Sequence, residues 1–333
     1  MKTLVIGGTG FLGYYVALEL APLRDEVVLF GRGKLLLGQN LPAQVRIQTG
    51  DMASLDASGL ADLVRDFDEI VFAAGKDDRT LVKVSPLEYF MHENVTMLER
   101  VFRAMFHAKE SSRVKAFVLF NSFFATAARR HPEWKLAETH PYIHSRMMQQ
   151  KLIDTFRPKL PEVGFSILEI PFVMGTIPGE AGLFTPLALW LRRLPFVVIF
   201  PGTISLVTAQ DVAKATRHAL ESPQGLGALP LSSWDVSWKE WIDLFLEEMD
   251  VTRPVFVLPK GFFNQTFSAM SVLLKLRGYQ SGLDQKLLAE LLCKDLAVGL
   301  SPDWPGEEAS PEEKKRRVKA SIREIVKSAE HVR

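Results

Sequence analysis

The sequence predicts an α/β fold in which a doubly wound parallel sheet is followed by a smaller, mostly helical C-terminal lobe. Short β-branched or apolar runs alternate with helical patterns along the first half of the 333 residues. Several of these runs are apolar throughout, which is typical of strands that helices cover on both faces. The second half instead carries capped helical segments with few strands.

The first half is predicted to contain six strands, most of them separated by helices. The strands are predicted at residues 2–6, 27–30, 45–48, 69–72, 115–120 and 165–170. The helices are predicted at residues 11–20, 54–66, 93–107 and 145–156. In these helices apolar residues recur at helical spacing, or a proline follows the last turn.

Capping residues mark the helix starts of the second half. Thr208 and Ser237 each precede a helical pattern, and each is followed three positions later by an acid, Asp211 or Glu240. This spacing is typical of a helix N-terminus, because the first hydroxyl and the later acid satisfy free backbone amides. Ser310 is predicted to open a final helix in the same way.

The charge balance and the cysteine content exclude several classes of protein. Lys plus Arg is 40 and Asp plus Glu is 39, so the net charge is +1. This balance argues against a general nucleic-acid binder, which has a strong basic excess. The single cysteine, Cys293, cannot form an internal disulfide, so we expect a reducing compartment and a cytoplasmic location.

The most apolar stretch, residues 183–200, carries Arg192 and Arg193 near its centre. Two charges in the middle of a bilayer cost several kcal/mol, so we expect no spanning segment here. Peripheral contact with a membrane surface remains open for this stretch.

The strongest motif is a glycine triplet, with Gly7, Gly10 and Gly13 placed between the first predicted strand and the first predicted helix. The turn tolerates positive φ, a phosphate can approach the backbone without meeting a Cβ, and the helix N-terminus attracts the anion. The motif therefore predicts a Rossmann-type dinucleotide site. The loop residues expected to contact the coenzyme are Gly7, Thr9, Gly10, Phe11, Leu12 and Gly13.

The end of the second strand indicates which dinucleotide is bound. An acid there would bind a free ribose 2′-hydroxyl, but positions 30–32 carry none. Arg32 and Lys34 stand where a 2′-phosphate would lie, and cations pair well with phosphate, so NADP is favoured over NAD. Further coenzyme contacts are expected after the third and fourth strands, from Asp51, Met52, Ala73, Ala74 and Gly75.

The length suggests about two domains. We expect residues 1–175 to form the NAD(P)-binding domain, with residues 203–222 returning to it. Most of residues 176–333 are expected to form a substrate-binding lobe and C-terminal helices. The substrate pocket is expected to be walled by segments 76–90, 123–134, 174–190 and 256–267, whose aromatic residues suit an apolar or aromatic substrate.

These motifs resemble the extended or atypical short-chain dehydrogenase/reductase superfamily, which includes the NAD(P)-dependent epimerase/dehydratase family. The resemblance covers residues 1–220 and includes Asn94, the Asn121–Ser122 pair and Tyr142 in PYIHSRMMQQKLI. Segment 168–175, LEIPFVMG, looks like the family's coenzyme-covering loop, and segment 210–213 looks like its Asp-Val-Ala helix. The resemblance therefore adds Asn94, Pro171, Phe172, Val173, Tyr142 and Arg146 to the expected coenzyme-binding residues.

The resemblance also implies a catalytic set. Tyr142 would be the general acid/base, and Ser122 would hold the substrate oxygen. The family places a lysine four residues after the tyrosine on the same helix face, where it binds ribose and lowers the tyrosine pKa. This chain has Arg146 at that position, which keeps the charge but is larger and planar.

Three functions follow from the resemblance. The first is an NADP-dependent carbonyl reductase or alcohol dehydrogenase acting on a small, apolar or aromatic molecule. The second is a nucleotide-sugar epimerase or dehydratase with bound NAD(P). The third is a non-catalytic NADP-sensing or scaffold protein. The arginines that are candidates to clamp a sugar-nucleotide diphosphate are Arg129, Arg130, Arg192 and Arg193.

Two further expectations concern metals and assembly. His140 and His144 stand four residues apart, but Pro141 biases His140 away from helical geometry, and no carboxylate has metalloprotease spacing. No metal site is therefore expected. The resemblance implies a homodimer through the helices at 93–107 and 145–156.

Overall fold

The computed structural model describes residues 1–33, 41–109, 112–301 and 309–331. The strands are β1 (Lys2–Ile6), β2 (Glu26–Gly31), β3 (Val45–Thr49), β4 (Glu69–Phe72), β5 (Leu81–Val82), β6 (Ala116–Ser122), β7 (Gly164–Ile170), β8 (Phe172–Met174), β9 (Val197–Ile199), β10 (Thr203–Thr208), β11 (Gly227–Pro230), β12 (Trp234–Ser237), β13 (Val255–Val257) and β14 (Gln280–Ser281). The helices are α1 (Phe11–Leu20), α2 (Ala57–Arg65), α3 (Pro86–Phe90), α4 (Met97–His107), α5 (Phe123–Arg130), α6 (Leu136–Thr139), α7 (Pro141–Phe156), α8 (Thr185–Arg193), α9 (Ala209–Glu221), α10 (Trp238–Glu248), α11 (Lys260–Leu276), α12 (Leu288–Leu292) and α13 (Pro311–His331).

A seven-stranded sheet forms the centre, in the order β11-β7-β6-β4-β1-β2-β3. Every neighbouring pair in this sheet is parallel. The chain runs outward from β1 to one side and outward from β4 to the other, so the winding direction switches between these two strands. The predicted doubly wound, Rossmann-type sheet is confirmed, and ligands of such sheets bind in the crevice outside the switch point.

Both faces of the sheet are buried, which explains the continuous apolar strands. In β1, Leu4 and Ile6 point into a cluster that includes residues of α2 and α4. The intervening Val5 points into the opposite cluster, which includes residues of α1 and α9. All three side chains are almost fully buried, as the two-residue period of a strand requires when helices cover both faces.

Two predicted helices begin earlier than their sequence patterns suggested. The helix predicted at 93–107 is preceded by α3 and a π-helical turn at Met91–Thr96, and only then continues as α4. The helix predicted at 145–156 begins at Pro141, because proline is well suited to the first helical position. This start places Tyr142 in the first turn of α7.

The C-terminal part is largely helical and has its own core. Helices α8, α10 and α13 bury apolar residues against the small sheet β12-β10-β8. Thr208 and Ser237 cap α9 and α10 as predicted, and Glu240 completes a capping box. The sequence analysis missed β11, a short edge strand in which Pro230 is tolerated because edge positions need fewer backbone donors. None of the helices within the described ranges has the length and apolarity needed to cross a membrane.

Candidate active site

The predicted glycine turn joins β1 to α1 and is packed tightly against neighbouring backbone. Gly7 has a φ of +83°, in the left-handed region, and a Cβ there would lie 2.6 Å from the backbone nitrogen of Ala74. A Cβ on Gly13 would lie 2.2 Å from the carbonyl oxygen of Gly8. Both positions therefore need glycine for the fold itself.

Gly10 is different, because the protein leaves room for a side chain there. Its backbone is extended, and the nearest atom to a built Cβ is the Gly7 oxygen at 3.4 Å, an ordinary contact. Gly10 also precedes the first turn of α1 without a capping side chain. The glycine keeps the groove open and leaves the first amides of the helix to an anionic ligand.

Two cavities meet at this turn, and both are lined by Gly7, Gly10 and residues 73–75. One, of about 410 Å³, extends past the ends of β2 and β3 to Arg32. The other, of about 370 Å³, extends past the end of β6 to Tyr142. Together they form an elongated groove with the open glycine at its middle, which fits a dinucleotide with its diphosphate on the turn.

Most predicted site residues line this groove. The β2 side includes Thr9, Arg32, Asp51 and Met52. The β6 side includes Phe11, Leu12, Gly13, Ser122, Tyr142, Arg146, Pro171, Phe172 and Val173. Lys34 lies outside the described residues. Asn94 lines neither cavity and has a different role, described below.

A side chain at the end of β2 would collide with Thr9. A Cβ on Gly31 would lie 2.4 Å from the hydroxyl oxygen of Thr9, so any side chain there would require Thr9 to move. Arg32 follows on the cavity wall, 3.9 Å from Asp51, and both side chains are largely exposed. Asp51 also accepts a hydrogen bond from the Ala53 amide, so it shapes the turn after β3 as well as the cavity.

Asn94 holds the loop after β4 in place. Its side-chain oxygen accepts a hydrogen bond from the backbone amide of Lys76 (2.8 Å), and its side-chain nitrogen donates to the Lys76 carbonyl (3.3 Å) and to Ser145 (3.0 Å). The side chain is completely buried. Asn94 therefore positions coenzyme-lining backbone through Lys76, although the sequence analysis expected it to bind the coenzyme.

Arg146 joins the same network from α7. Its guanidinium donates to the carbonyl of Lys76 (3.0 Å) and to the side-chain oxygen of Gln149 (3.0 Å). Its Nε is buried and has no partner in the protein. A buried N–H without an acceptor is costly, so Arg146 keeps one unsatisfied donor within the protein.

Tyr142 and Ser122 meet at the end of β6. Ser122 is the last residue of the strand and accepts a hydrogen bond from the Phe124 amide, which fixes it at the start of α5. The Arg146 guanidinium carbon lies 5.1 Å from the Tyr142 ring centre, and Ser122 lines the same cavity as both residues. The three residues predicted as catalytic are therefore brought together.

The electrostatics around Tyr142 favour its protonated form. Burial raises the pKa of Tyr142 and is the largest influence, while the Arg146 charge and the nearby Ser122 side chain lower it. The net result is a pKa above the ordinary value of 10.0. In this environment the phenol is a proton donor at neutral pH.

Two acids that the sequence analysis did not single out, Asp77 and Asp78, line the cavity beside Tyr142. Burial raises the pKa of Asp78, the Asp77 carboxylate raises it further, and nearby arginines lower it. The charge of Asp78 in turn raises the pKa of Tyr142. Both acids follow β4 within the predicted wall segment 76–90, so their place at the carboxyl edge of the sheet was the available signal.

The substrate side of the groove is mainly apolar. Its lining includes Phe123, Phe124, Ile170, Phe172, Leu183 and Phe184. Three of the four predicted wall segments contribute to it. The fourth, 256–267, does not line the groove, because Phe262 faces outward and Phe263 packs against Phe200 (ring centres 5.1 Å apart).

None of the four arginines considered as diphosphate clamps lines the groove, and three of them have partners outside it. Arg129 forms an ion pair with buried Glu169, and Arg130 donates to the Val298 carbonyl. Arg192 pairs with Glu330. Within the part of the chain that the structure describes, the arginines on the groove are Arg32, Arg79 and Arg146.

The two histidines four residues apart have separate partners. His140 is buried and its Nδ1 accepts a hydrogen bond from the Asp284 amide at 2.9 Å, while His144 contacts the Ala137 carbonyl. Across the described ranges, no group of three or more His, Cys, Asp or Glu side chains is arranged to hold a metal. His140 fixes the start of α7, the helix that carries Tyr142.

The glycine turn, the elongated groove and the Tyr142–Ser122 pair define a dinucleotide-binding protein of the short-chain dehydrogenase/reductase type. The profile of the NAD dependent epimerase/dehydratase family matches residues 3–228. The chain therefore belongs to that family, and the predicted resemblance is confirmed. A search of functionally curated proteins found no match.

Solved structures of similar fold cover nearly the whole chain. UDP-N-acetylglucosamine 4-epimerase from Methanobrevibacter ruminantium M1, in complex with UDP-N-acetylmuramic acid, has 17% identity and a TM-score of 0.67, over 98% of this chain and 97% of that one. UDP-glucuronic acid 4-epimerase from Bacillus cereus, in complex with UDP-glucuronic acid and NAD, has 13% identity and a TM-score of 0.66 over 100% of both chains. The protein gox2253 has 17% identity and a TM-score of 0.72, over 99% and 98%. At these identities the likeness establishes the fold.

The two glycine environments give a paired prediction. Gly10→Ala should leave the free energy of unfolding within about 1 kcal/mol of wild type, because its Cβ meets no protein atom closely. It should weaken NADP and NAD binding by roughly tenfold or more, because the Cβ enters the groove.

Gly13→Ala should lose about 3 kcal/mol of stability through backbone collision. Urea unfolding and calorimetric titration measure both effects; wild-type coenzyme affinity in Gly10→Ala would contradict this assignment of the groove.

A second prediction concerns pH. Burial lowers the pKa of His140 to about 4, below the 6.5 of a free histidine. Between these values the unfolded chain binds a proton that the native protein does not, so stability is full above pH 6.5 and falls as the pH drops toward 4. The loss should reach about 3 kcal/mol. In His140→Asn the side-chain oxygen can still accept a hydrogen bond from the Asp284 amide. The free energy of unfolding of this variant, measured from pH 6.5 to 4, should fall less than that of wild type. An equal fall would contradict the assignment of the pH effect to His140. His92→Asn, at an exposed histidine, is the control.

Proposed function

We propose that the protein is an NAD(P)-dependent enzyme that removes a hydride from a hydroxyl-bearing carbon of its substrate and returns it, as an epimerase or dehydratase does. One observation carries this proposal. Tyr142, Ser122 and Arg146 converge in the cavity that continues the coenzyme-shaped groove. Membership of the family supports the same conclusion.

A nicotinamide bound at this end of the groove supplies the capacity to accept and return a hydride. Tyr142 moves the accompanying proton. With its pKa above the ordinary value, the phenol can donate a proton to a carbonyl oxygen as the hydride reaches the carbon. In the opposite direction the tyrosinate would take the proton of the substrate hydroxyl, and the charge of Arg146 offsets part of the rise in pKa that burial causes. Ser122 holds the same oxygen through its hydroxyl.

The substitution of arginine for the family's lysine fits this scheme. Arg146 keeps a positive charge beside Tyr142, and two of its nitrogens fix the Lys76 backbone and Gln149. The unpartnered Nε remains for a ribose hydroxyl. One side chain thereby supports both the loop that borders the coenzyme and the ionisation of the phenol.

Nucleotide sugars are the first candidate substrates. The Methanobrevibacter ruminantium and Bacillus cereus proteins of similar fold are UDP-sugar 4-epimerases, and the Bacillus cereus structure holds NAD. These comparisons favour the epimerase/dehydratase alternative over the carbonyl reductase or alcohol dehydrogenase that the sequence analysis placed first.

A small apolar or aromatic alcohol or carbonyl compound is the second candidate. Phe123, Phe124 and Phe184 line the substrate side of the groove. Arg129 and Arg192, two of the arginines considered for a diphosphate, are paired with acids outside it. This environment favours a substrate without a diphosphate, because an uncompensated phosphate is costly beside apolar side chains.

For the coenzyme we propose a preference for NADP over NAD. Gly31 stands where an acid would bind a free 2′-hydroxyl, a side chain there would displace Thr9, and Arg32 follows on the cavity wall. A largely exposed guanidinium next to an open cavity is suited to bind a 2′-phosphate.

The catalytic role of Tyr142 predicts the effect of removing its hydroxyl. Tyr142→Phe should lower turnover by roughly a hundredfold to ten-thousandfold, because the proton donor is lost while the ring packing stays. Coenzyme affinity and thermal stability should stay close to wild type. Tyr89→Phe, at a tyrosine outside the groove, is the matched control and should keep full activity.

The same assay separates the candidate functions. Chromatography follows UDP-sugar interconversion, and nicotinamide absorbance follows net oxidation or reduction over a panel of carbonyl compounds and alcohols. Sugar conversion at constant absorbance supports the epimerase function, whereas a stoichiometric absorbance change on an apolar substrate supports the second candidate. Coenzyme binding without turnover, in wild type and in Arg146→Lys, would contradict an enzymatic function and leave the non-catalytic alternative.

Arg32→Ala tests the coenzyme preference. Wild-type protein should bind NADP more tightly than NAD, and the variant should lose roughly tenfold in NADP affinity with little change for NAD. Calorimetric titration at fixed salt measures both constants. Tighter binding of NAD by the wild type would refute the preference without affecting the location of the site.

A further inference from the structure

Helix α11 has an apolar outer side, which is unusual for a surface helix. Of its 17 residues only Phe263 and Ser271 are buried. The large apolar side chains that remain exposed are Phe262, Met270, Val272, Leu273 and Leu276, and Leu276 is 80% exposed. At 3.6 residues per turn these five residues fall within roughly 80° on either side of Phe262. They therefore lie on one side of the helix, with Phe262 in its first turn and the other four in its last two turns, and we call this side the apolar stripe.

The stripe continues onto a neighbouring ribbon. Strands β9 and β13 pair in parallel. The exposed ring of Phe196, directly before β9, lies 6.1 Å from the exposed ring of Phe256 on β13. Phe263 packs against Phe200, which directly follows β9, and so attaches the start of α11 to the ribbon. We call the five α11 residues together with Phe196 and Phe256 the α11 face.

Residues 251–283 carry most of the α11 face, and every charged residue among them is positive. Between Asp250 and Asp284 there is no Asp or Glu, and the four charged residues are Arg253, Lys260, Lys275 and Arg277. Lys260 begins α11, and Lys275 and Arg277 stand at its other end. Cations thus stand at both ends of the helix that carries the apolar stripe.

An exposed apolar side together with cations favours a membrane surface as the partner. An apolar helix face bordered by cations is typical of helices that lie in the plane of a membrane surface, where the apolar side chains enter the acyl boundary and the cations meet anionic headgroups. A second copy of the chain would bring the same cations together, which like-charge repulsion disfavours. Because no described helix can cross the bilayer, α11 would lie along its surface.

We propose that the α11 face docks the protein onto an anionic phospholipid bilayer. The sequence analysis left membrane contact open for residues 183–200; the structure assigns the contact mainly to α11, with Phe196 at its margin. The proposal is independent of the catalytic function, because no residue of the α11 face lines the groove.

Vesicle flotation of the full chain tests the proposal. Wild-type protein should float with vesicles of phosphatidylcholine plus phosphatidylglycerol and bind pure phosphatidylcholine roughly tenfold more weakly. Leu273→Glu and Leu276→Glu should each lower the partition into anionic vesicles by about tenfold or more, because a charge replaces an inserted apolar side chain. Leu23→Glu, at an exposed leucine of the other domain, should bind like wild type.

Two further measurements keep the test decisive. The thermal unfolding temperature should match wild type in all variants, because each replaced side chain is exposed. In Leu273→Trp, brominated lipid should quench the fluorescence of the introduced tryptophan. Lys275→Glu with Arg277→Glu should remove the preference for anionic vesicles. Absence of wild-type flotation would overturn the proposal, as would equal losses in Leu23→Glu. So would a dimer that Leu276→Glu converts to monomer without any vesicle binding.

Discussion

The structure depends on the close approach of α1 to the carboxyl edge of the sheet. A side-chain carbon would collide with the Gly8 backbone at Gly13, and with the Ala73–Ala74 backbone after β4 at Gly7. The close approach sets the N-terminus of α1 at the switch point of the sheet, where β1 and β4 diverge. Gly10, on the outer side of the same turn, has space that the protein does not use. The same turn is therefore tightly packed against the protein at Gly7 and Gly13 and open to the groove at Gly10.

A second arrangement links the groove to the reactive end. Asn94 and Arg146 both bind the backbone of Lys76, from helices on different crossovers of the sheet. Gln149 closes the network by donating to the Asn94 carbonyl at 2.8 Å. The loop that borders the coenzyme groove is thus tied to the helix that carries Tyr142, so the groove and the phenol keep a constant relation. An arginine in place of the family's lysine is integrated into this network.

Local features of the fold and site were predictable from the sequence. The glycine turn, the capped helices α9 and α10, and the Tyr142–Arg146 spacing depend on neighbouring residues only. The positioning role of Asn94 and the influence of Asp78 were not predictable, because they arise from segments that meet only in the folded protein. Phe262 shows the same limit: an aromatic run predicts burial in a pocket wall, whereas the packing of α11 turns that ring outward.

A crystal structure of the protein with NADP or NAD tests the central claim most directly. The account predicts the diphosphate over Gly10, within hydrogen-bond distance of the first amides of α1, and a ribose hydroxyl at Nε of Arg146. It also predicts the nicotinamide in the cavity beside Tyr142. A coenzyme bound with its diphosphate away from this turn, or with its nicotinamide remote from the phenol, would contradict the account.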